Sequence, residues 1–303
     1  VMERMRRLRA QISHHDSAQR FRELGVDVFL GHGQFIGRDA VKVEDKILRF
    51  KKAVIATGAR PTLPPLPGIA EADFLTSETV FSLTELPTHL AVLGGGPIGC
   101  ELSQAFRRLG SQVTIIQKAP QLLPREDRDA ADIIAHTLRD EGVDVRLGTN
   151  LSKVEPSSNR KMIHLEGNGK QQSLEVDEIL VAVGRTPNLD GLNLEEAGVQ
   201  HTGEGVQVND FLQTSNPRIY AAGDVCMKWK FTHAAEAAAR IVIQNALFLG
   251  RKRLSNLTMP WCTYTDPEVA HVGLYEKDAR KKGIEIETFM RLFSEVDRGI
   301  IDG

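Results

Sequence analysis

Apolar runs alternate with stretches of helical spacing through the middle of the chain, starting near residue 86. The apolar run at 90–94 predicts a buried strand, and the apolar positions of 97–109 recur at the spacing of a helix. The elements predicted after these are a strand over 112–117, a helix over 127–141, a strand over 143–148, three short strands over 151–176 and a strand over 178–184. Strands that alternate with helices indicate a parallel sheet built from βαβ units, here with a β-meander as one crossover.

The residues before this region predict a different mixture of elements. Met5, Leu8 and Ile12 recur at helical spacing and predict one helix over 2–24, ended by Gly25. The elements predicted next are a strand over 26–37, two short strands and a buried strand (53–57) within 40–58, and a proline-rich linker over 59–68. No glycine-rich phosphate-binding pattern precedes any of these elements.

The pattern changes again after the predicted βαβ region. The elements predicted there are a transition at 211–226, an alanine-rich helix within 232–249, strands within 258–273 and a helix over 276–283.

Composition is that of an ordinary globular protein. Of its residues, 41% are hydrophobic and 26% are charged. The length of 303 residues is enough for about two domains. The formal net charge of −2 gives no reason to expect nucleic acid or an anionic membrane as a partner. We interpret the basic run of Arg4, Arg6, Arg7 and Arg9 as the solvated face of the first helix. Because no apolar run approaches the ~20 residues that span a bilayer, we expect no membrane partner. The three widely spaced cysteines favour a cytoplasmic protein.

The cysteine and histidine patterns predict no metal site. Cys100, Cys226 and Cys262 lie far apart in the sequence and form neither a CxxC pair nor a zinc spacing. The expectation is that all three are reduced thiols.

The stretch GGGPIG at 94–99 carries the clearest chemistry. Gly94, Gly96 and Gly99 satisfy the G-x-G-x-x-G spacing between a predicted strand and a predicted helix. In this context the first glycine permits the tight turn, the second lets backbone approach a pyrophosphate, and the third allows close packing of helix on strand. Pro97 and Ile98 form the helix start, whose free N–H groups and positive dipole end attract phosphate. The sequence therefore predicts a dinucleotide site; the alternative is a glycine-rich turn without a ligand.

The nucleotide preference should be set at the end of the next strand. An acidic residue there would bind the ribose 2′-hydroxyl of NAD, but this chain has Gln117 and Lys118. Gln117 can still hydrogen-bond a hydroxyl, and Lys118, with Arg125 nearby, can pair with a 2′-phosphate. The sequence favours NADPH over NADH; the alternative is that Lys118 is an ordinary surface lysine.

Further stretches change the interpretation when they are taken together. They are VIATGARP (54–61), VAVGRTPN (181–188), TSNPRIYAAGDV (214–225) and YTDPEVAHVG (264–273). In this order and spacing, the chain resembles the FAD-dependent pyridine nucleotide–disulfide oxidoreductases over essentially its whole length. Within that family, FRELGVDVFLG, LRFKKAVIATGARP and FTHAAEAAARIVIQNALF look most like mercuric reductase-type proteins.

The resemblance implies a fold and a domain order. It implies an α/β protein with two Rossmann-type nucleotide-binding domains, the NAD(P) domain being inserted into the FAD domain, and the start of an α+β dimerisation domain. The implied segments are 1–85 (FAD domain and linker), 86–208 (NAD(P) domain), 209–256 (FAD return segment) and 257–303 (interface domain). A homodimer is implied for the intact protein.

The resemblance also assigns site residues. Those implied to border FAD are Ala56, Thr57, Gly58, Gly223, Asp224, Phe231, Thr232, His233 and Ala234. Asp224 would hydrogen-bond the ribityl or pyrophosphate region, and the helix starting near Thr232 would point its positive end at the flavin N1/O2 edge. Glu101 would face the nicotinamide, while Gly184 and Arg185 would line the nucleotide site.

Some parts of the family pattern have no counterpart in the chain. These are the first FAD glycine motif, the redox Cys-x4-Cys pair with its nearby lysine, and the C-terminal His–Glu pair. The resemblance then predicts a chain trimmed at both ends.

The resemblance implies that the intact protein passes a hydride from NAD(P)H to FAD and on to a small-molecule or protein disulfide, or to a thiol-bound metal as in mercuric reductase. The alternatives are a dihydrolipoamide dehydrogenase or soluble transhydrogenase, and a non-enzymatic NAD(P)-binding fragment.

Overall fold

The computed structural model describes residues 1–157, 160–167, 169–248 and 250–302. The helices are α1 (Met2–Ser13), α2 (Ala18–Glu23), α3 (Pro97–Leu109), α4 (Arg128–Asp140), α5 (Thr232–Leu247), α6 (Glu276–Lys281) and α7 (Asp297–Asp302). The strands are β1 (Gly33–Gly37), β2 (Ala40–Val43), β3 (Lys46–Arg49), β4 (Ala53–Ile55), β5 (Ala59–Pro61), β6 (His89–Leu93), β7 (Gln112–Gln117), β8 (Asp144–Leu147), β9 (Thr149–Ser157), β10 (Arg160–Gly167), β11 (Lys170–Val176), β12 (Glu178–Val181), β13 (Arg185–Pro187), β14 (His201–Thr202), β15 (Gly205–Val206), β16 (Ile219–Ala221), β17 (Pro260–Thr263) and β18 (Val269–Val272). Residues 158, 159 and 168 of the predicted strand region, and residue 249 of the predicted helix, lie outside the described residues.

A parallel sheet with the strand order β12-β6-β7-β8 forms the centre of the molecule. Leu90 and Val92 of β6 pack against helices α3 and α4, whereas Ala91 and Leu93 face the β9–β11 meander on the other side. Because both faces are covered, every residue of β6 is buried. This is the physical reason that the strand reads as a continuous apolar run.

The segments on either side of the central sheet meet each other. Strand β4 pairs in parallel with β16, and Ala222 N–H extends the pairing by donating to the carbonyl oxygen of Ile55 at 3.1 Å. Strand β5 pairs antiparallel with β13, with Thr186 opposite Arg60. Residues that precede the central sheet in sequence are thus joined to residues that follow it.

The C-terminal hairpin β17–β18 and helix α6 dock on the central unit. The carboxylate of Glu126, which is 6% exposed, accepts a hydrogen bond from Trp261 Nε1 at 2.8 Å and one from the Tyr275 hydroxyl at 2.5 Å. None of the helices in the described part of the chain combines the length and apolarity needed to cross a bilayer.

Several local expectations were wrong. The helix expected over 2–24 is interrupted, because the backbone at Ser17 is extended (ψ 144°) and the Ser17 hydroxyl caps a new helix by accepting from Arg20 N–H at 3.2 Å. The strand expected over 26–37 is limited to β1, which pairs with β2. The strand expected to be buried at 53–57 is only half-covered. Val54 is 49% exposed, because β4 has only β16 as a sheet partner and the cluster that buries Tyr220, the β16 residue paired with Val54, does not extend over Val54.

Candidate active site

The glycine turn between β6 and α3 has the geometry that its spacing predicts. Gly94 has φ +102°, and a Cβ there would lie 2.5 Å from the Ala182 carbonyl oxygen. A Cβ on Gly99 would lie 2.0 Å from the Gly94 carbonyl oxygen. At Gly96, by contrast, a Cβ would meet no described atom within 4 Å. Protein packing therefore requires glycine at 94 and 99, whereas at 96 the backbone faces open space that a ligand can enter.

Helix α3 begins at this open surface. Gly96 is its N-cap and has no side chain to bond the first N–H groups, and Pro97 occupies the first turn. The first N–H groups of a helix have no intrahelical acceptor and lie at its positive end. The stretch Gly96–Gly99 can therefore bind an anion through backbone alone.

Gly95, which sequence reasoning did not single out, is also constrained. A Cβ there would lie 2.5 Å from Leu122 Cδ2, and its N–H donates to Oε1 of Gln117 at 3.0 Å. Gln117 is 8% exposed, and its Nε2 also donates to the Gln121 carbonyl oxygen at 3.3 Å. Its amide thus supports the turn, while the neighbouring Lys118 is exposed and has no ion-pair partner among the described residues.

Glu101 lies one turn into α3, where it meets the C-terminal hairpin. Its Oε1 accepts a hydrogen bond from Tyr264 N–H at 2.9 Å. Burial raises the pKa of this carboxyl above its ordinary value, and the bond from Tyr264 partly opposes that shift. The sequence alone gave no indication of the contact, because the partner is a backbone group distant in sequence.

A second group of residues, which includes the predicted Arg185, converges around Asp224. Its Oδ2 lies 3.2 Å from Nε of Arg185, and the same guanidinium donates to the Ala59 carbonyl oxygen. Nζ of Lys230 donates to the Asp224 carbonyl oxygen at 3.0 Å. Arg185 thus links the end of the central unit to segments on both sides of it.

Asn188, also missed by sequence reasoning, fixes the Thr57–Gly58 turn. Its Nδ2 donates to the Thr57 carbonyl oxygen at 2.9 Å, and its backbone N–H donates to the Gly58 carbonyl oxygen at 3.0 Å. The Thr57 hydroxyl donates to the Asn188 carbonyl oxygen at 2.8 Å. Gly58 has φ +68°, and Gly184, the acceptor of a bond from Thr62 N–H at 3.0 Å, has φ +126°. Ala56 and Thr57 remain exposed at this turn.

The start of α5 lies beside the Asp224 group. A Cβ on Gly223 (φ +79°) would lie 3.3 Å from Ala235 Cβ, so the glycine permits a close approach to this helix. Phe231 is the N-cap without a side-chain bond, Thr232 and His233 are exposed, and Ala234 is buried.

Strand β17 contacts both the start of α5 and, just past its end, Glu101 of α3. At its start the Pro260 carbonyl oxygen lies 2.8 Å from Nε2 of His233, which donates to it, and just past its end Tyr264 N–H reaches Glu101. At ~3.3 Å per residue, these two contacts are about 13 Å apart along the strand. Glu101 and the start of α5 are therefore both in contact with one short strand and its following residue.

The cysteines do not have the properties of reactive thiols. Burial raises the pKa of Cys100 and of Cys226 to about 12, and burial also raises that of Cys262. All three are unpaired. Because the thiolate is the nucleophile in disulfide exchange, none of these residues is suited to it.

Comparisons with known proteins identify the family of the chain. The family described as pyridine nucleotide-disulphide oxidoreductase matches residues 6–239, and its dimerisation domain matches residues 259–303. The mercuric reductase of Staphylococcus aureus is 39% identical over 92% of this chain and 51% of its own length. The dihydrolipoyl dehydrogenase of Thermus scotoductus is 36% identical over 92% of this chain and 60% of its own length.

A solved structure gives the same result. The HOCl-induced flavoprotein disulfide reductase RclA from Escherichia coli superposes with a TM-score of 0.82 at 34% identity, covering 91% of this chain and 63% of that one. The chain thus spans about half to two thirds of the length of these relatives. Together these matches show that the chain belongs to the pyridine nucleotide–disulfide oxidoreductase family.

Proposed function

We propose that the intact protein is a flavoenzyme that passes a hydride from NAD(P)H to FAD and on to a disulfide or a thiol-bound metal, as in a mercuric reductase. The observation that carries the proposal is the position of β17, which borders both the Glu101 end of the glycine turn and the start of α5. Two nucleotides bound at these groups would bring their reactive rings toward one region.

The residues of the glycine turn fit a pyridine nucleotide. The open space at Gly96 admits a pyrophosphate, which the first N–H groups of α3 would bind. Lys118 is exposed and unpaired among the described residues, so it is available for the 2′-phosphate of NADPH, whereas the Gln117 amide is already bonded to the turn. Glu101 would orient the nicotinamide. These features support a preference for NADPH.

The Asp224 group fits FAD. The carboxylate of Asp224 would accept from a ribityl hydroxyl, and the turn at Ala56–Gly58, held by Asn188, would border the cofactor. The positive end of α5 at Thr232–Ala234 would stabilise negative charge on the reduced ring. FAD supplies the hydride chemistry when it is bound, and the protein supplies orientation and electrostatics. His233 has its Nε2 engaged by Pro260 and is assigned no proton transfer.

The acceptor is proposed from the relatives. Mercuric reductases from Staphylococcus aureus and Lysinibacillus sphaericus are 39% and 38% identical to the chain. Dihydrolipoyl dehydrogenases at 36% identity favour a dithiol couple as the second candidate. In either case Cys100, Cys226 and Cys262 would not supply the attacking thiolate, because burial raises the pKa of each.

We also propose the domain boundaries 1–85, 86–208, 209–256 and 257–303. The parallel pairing of β4 with β16 supports a single FAD domain formed from two segments. The match of residues 259–303 to the dimerisation domain supports a homodimer of the intact protein.

The test is whether the chain takes up both cofactors. Purified chain is incubated with FAD, freed of unbound cofactor and scanned for a flavin band at ~450 nm; NADPH is then added without oxygen. Bleaching of the band supports hydride transfer across the proposed region. A chain that binds NADPH but takes up no flavin would favour the binding-module alternative, and a chain that binds no NADPH would refute the nucleotide site on which the proposal depends.

A further inference from the structure

The loop that follows β17 is fastened to one face of helix α3. Glu101, Gln104 and Arg108 recur at helical spacing and lie on that face. Tyr264 N–H donates to Glu101, and Arg108 donates to the Asp266 carboxylate at 2.8 Å.

Gln104 makes the central contact of this arrangement. Its Oε1 accepts from Asp266 N–H at 2.8 Å, while its Nε2 donates to the Asp266 carbonyl oxygen, also at 2.8 Å. The side chain is 5% exposed. A carboxamide that bonds both the backbone N–H and the backbone carbonyl of one residue fixes the position and the rotation of that residue. A neighbouring β-strand makes the same pair of bonds. The bonds are partly buried, so breaking them leaves polar groups of the buried Gln104 side chain without these partners.

The Gln104 amide is also bonded to a residue outside the loop. Its Nε2 also donates to Oε1 of Glu141 at 3.0 Å, and Arg108 binds the same carboxylate at 2.6 Å. Glu141 caps the C-terminal end of α4. The Gln104 side chain is therefore held between two helices before it meets the loop.

The consequence concerns Glu101. Tyr264 lies two residues before Asp266, so the position of Asp266 determines where the Tyr264 N–H points. Among the described residues, that N–H is the hydrogen-bond donor to the Glu101 carboxylate. A loop released from Gln104 would let the carboxylate rotate.

We propose that Gln104 is a positioning residue which, by holding Asp266, fixes the Tyr264 N–H and thereby the orientation of the Glu101 carboxylate toward the nicotinamide. This inference rests on the proposed function, in which Glu101 faces that ring. Gln104 would act through Asp266 and Tyr264, since its amide is bonded to Asp266 and Glu141.

The test compares two nucleotides on the same chain. NADPH and 2′-phospho-ADP-ribose, which lacks the nicotinamide, are titrated by calorimetry into the wild type, Gln104→Met, Glu101→Gln and the control Gln112→Met. Gln112 is exposed at the start of β7. Gln104→Met keeps the length and helix propensity of the side chain but removes its hydrogen bonds. In Gln104→Met we expect NADPH binding to weaken roughly three- to tenfold, which corresponds to the loss of one or two oriented hydrogen bonds. We expect this variant to bind 2′-phospho-ADP-ribose with the wild-type affinity, and the control to bind both nucleotides as the wild type does.

A second readout separates positioning from a general structural effect. The bond from Tyr264 lowers the pKa of Glu101, so losing it should raise that pKa further. Carboxyl-carbon NMR of labelled glutamate should therefore show the Glu101 titration moving to higher pH in Gln104→Met and staying in place in Gln112→Met. If Gln104→Met does not fold, Gln104→Asn, whose amide is one methylene short, should give the same two changes.

The failures can be told apart. If Glu101→Gln leaves the ratio of NADPH to 2′-phospho-ADP-ribose affinity unchanged, the role proposed for Glu101 is wrong. If Glu101→Gln changes that ratio while folded Gln104 variants keep both the ratio and the Glu101 titration of the wild type, the positioning role of Gln104 is overturned.

Discussion

Arg185 and Asp224, which lie 39 residues apart in the sequence, form an ion pair with an Nε to Oδ2 distance of 3.2 Å. The same guanidinium donates to the carbonyl oxygen of Ala59. One side chain at the end of the central unit thus joins the segment before that unit to the segment after it. The pair is largely shielded from water, since the side chains of Arg185 and Asp224 are 28% and 18% exposed.

Substitution of Arg185 should destabilise the fold. Arg185→Met retains part of the apolar stem but leaves Asp224 and the Ala59 carbonyl unpaired. We expect the free energy of unfolding to fall by about 1–2 kcal/mol, between the values for exposed and buried ion pairs. Urea denaturation measures this. The matched control is Arg49→Met, which breaks the pair with Asp39 whose side chains are 76% and 40% exposed; it should cost less than ~1 kcal/mol. Equal losses in the two variants would contradict the special role of Arg185.

The glycines of the turn should separate binding from stability. Gly96→Val points into open space from extended backbone (φ −78°, ψ −176°), so it should cost less than ~1 kcal/mol of stability. It should nevertheless weaken NADPH binding at least roughly tenfold, because the side chain would fill the pyrophosphate position. Gly99→Ala instead places a Cβ 2.0 Å from the Gly94 carbonyl oxygen and should cost roughly 1–3 kcal/mol of stability. Calorimetric NADPH titration and thermal unfolding check both; unchanged NADPH affinity in Gly96→Val would refute the site.

The sequence predicted the central unit well because strong local signals coincide there. Helix α3 and strand β7 have the predicted bounds, 97–109 and 112–117. Proline in the first turn, Gly110 in a left-handed C-cap and a strand buried on both faces all favour the same boundaries. The N-terminal helix was predicted too long because the apolar spacing does not reveal that Ser17 can cap a second helix.

The candidate site was predictable only where backbone chemistry sets the residue type. The roles of Gly94 and Gly99 follow from spacing, and the structure gives the reason in short Cβ distances. The contacts of Glu101 and Asn188 with Tyr264 and Thr57 join residues 163 and 131 positions apart. No periodic pattern carries such pairings, since they depend on how whole segments pack together.

Nucleotide preference should respond to the charge at Lys118. Lys118→Glu should shift the ratio of NADPH to NADH affinity toward NADH by roughly tenfold, because a carboxylate repels the 2′-phosphate. Lys118 is exposed and has no ion-pair partner among the described residues, so stability should not change. Calorimetric titration with both nucleotides measures the ratio, with the exposed Lys42→Glu as the control. If the ratio stays at the wild-type value, Lys118 does not bind the 2′-phosphate.

Glu101 should make stability depend on pH in a defined direction. Burial raises its pKa in the folded chain above the ordinary value of 4.5, so the folded state binds the proton more tightly than the unfolded state. Stability is therefore lost as the pH rises from the ordinary pKa through the raised one, when the buried carboxyl must ionise. The thiols of Cys100 and Cys262, whose pKa values are raised by burial and also by the Glu101 charge, stay neutral over this range, and Arg108 on the same helix face stays charged.

Glu101→Gln keeps an oxygen that accepts from Tyr264 N–H but cannot ionise. We expect this variant and the wild type to have equal free energies of unfolding near pH 4, and the variant to be the more stable near pH 8. Urea denaturation at both pH values measures the difference. Glu71→Gln, at an exposed position, is the matched control and should show no such change with pH. A Glu101→Gln variant that is less stable than the wild type at pH 8, with a deficit that grows as the pH rises, would mean that the ionised carboxylate stabilises the fold through its bond to Tyr264 more than burial opposes it.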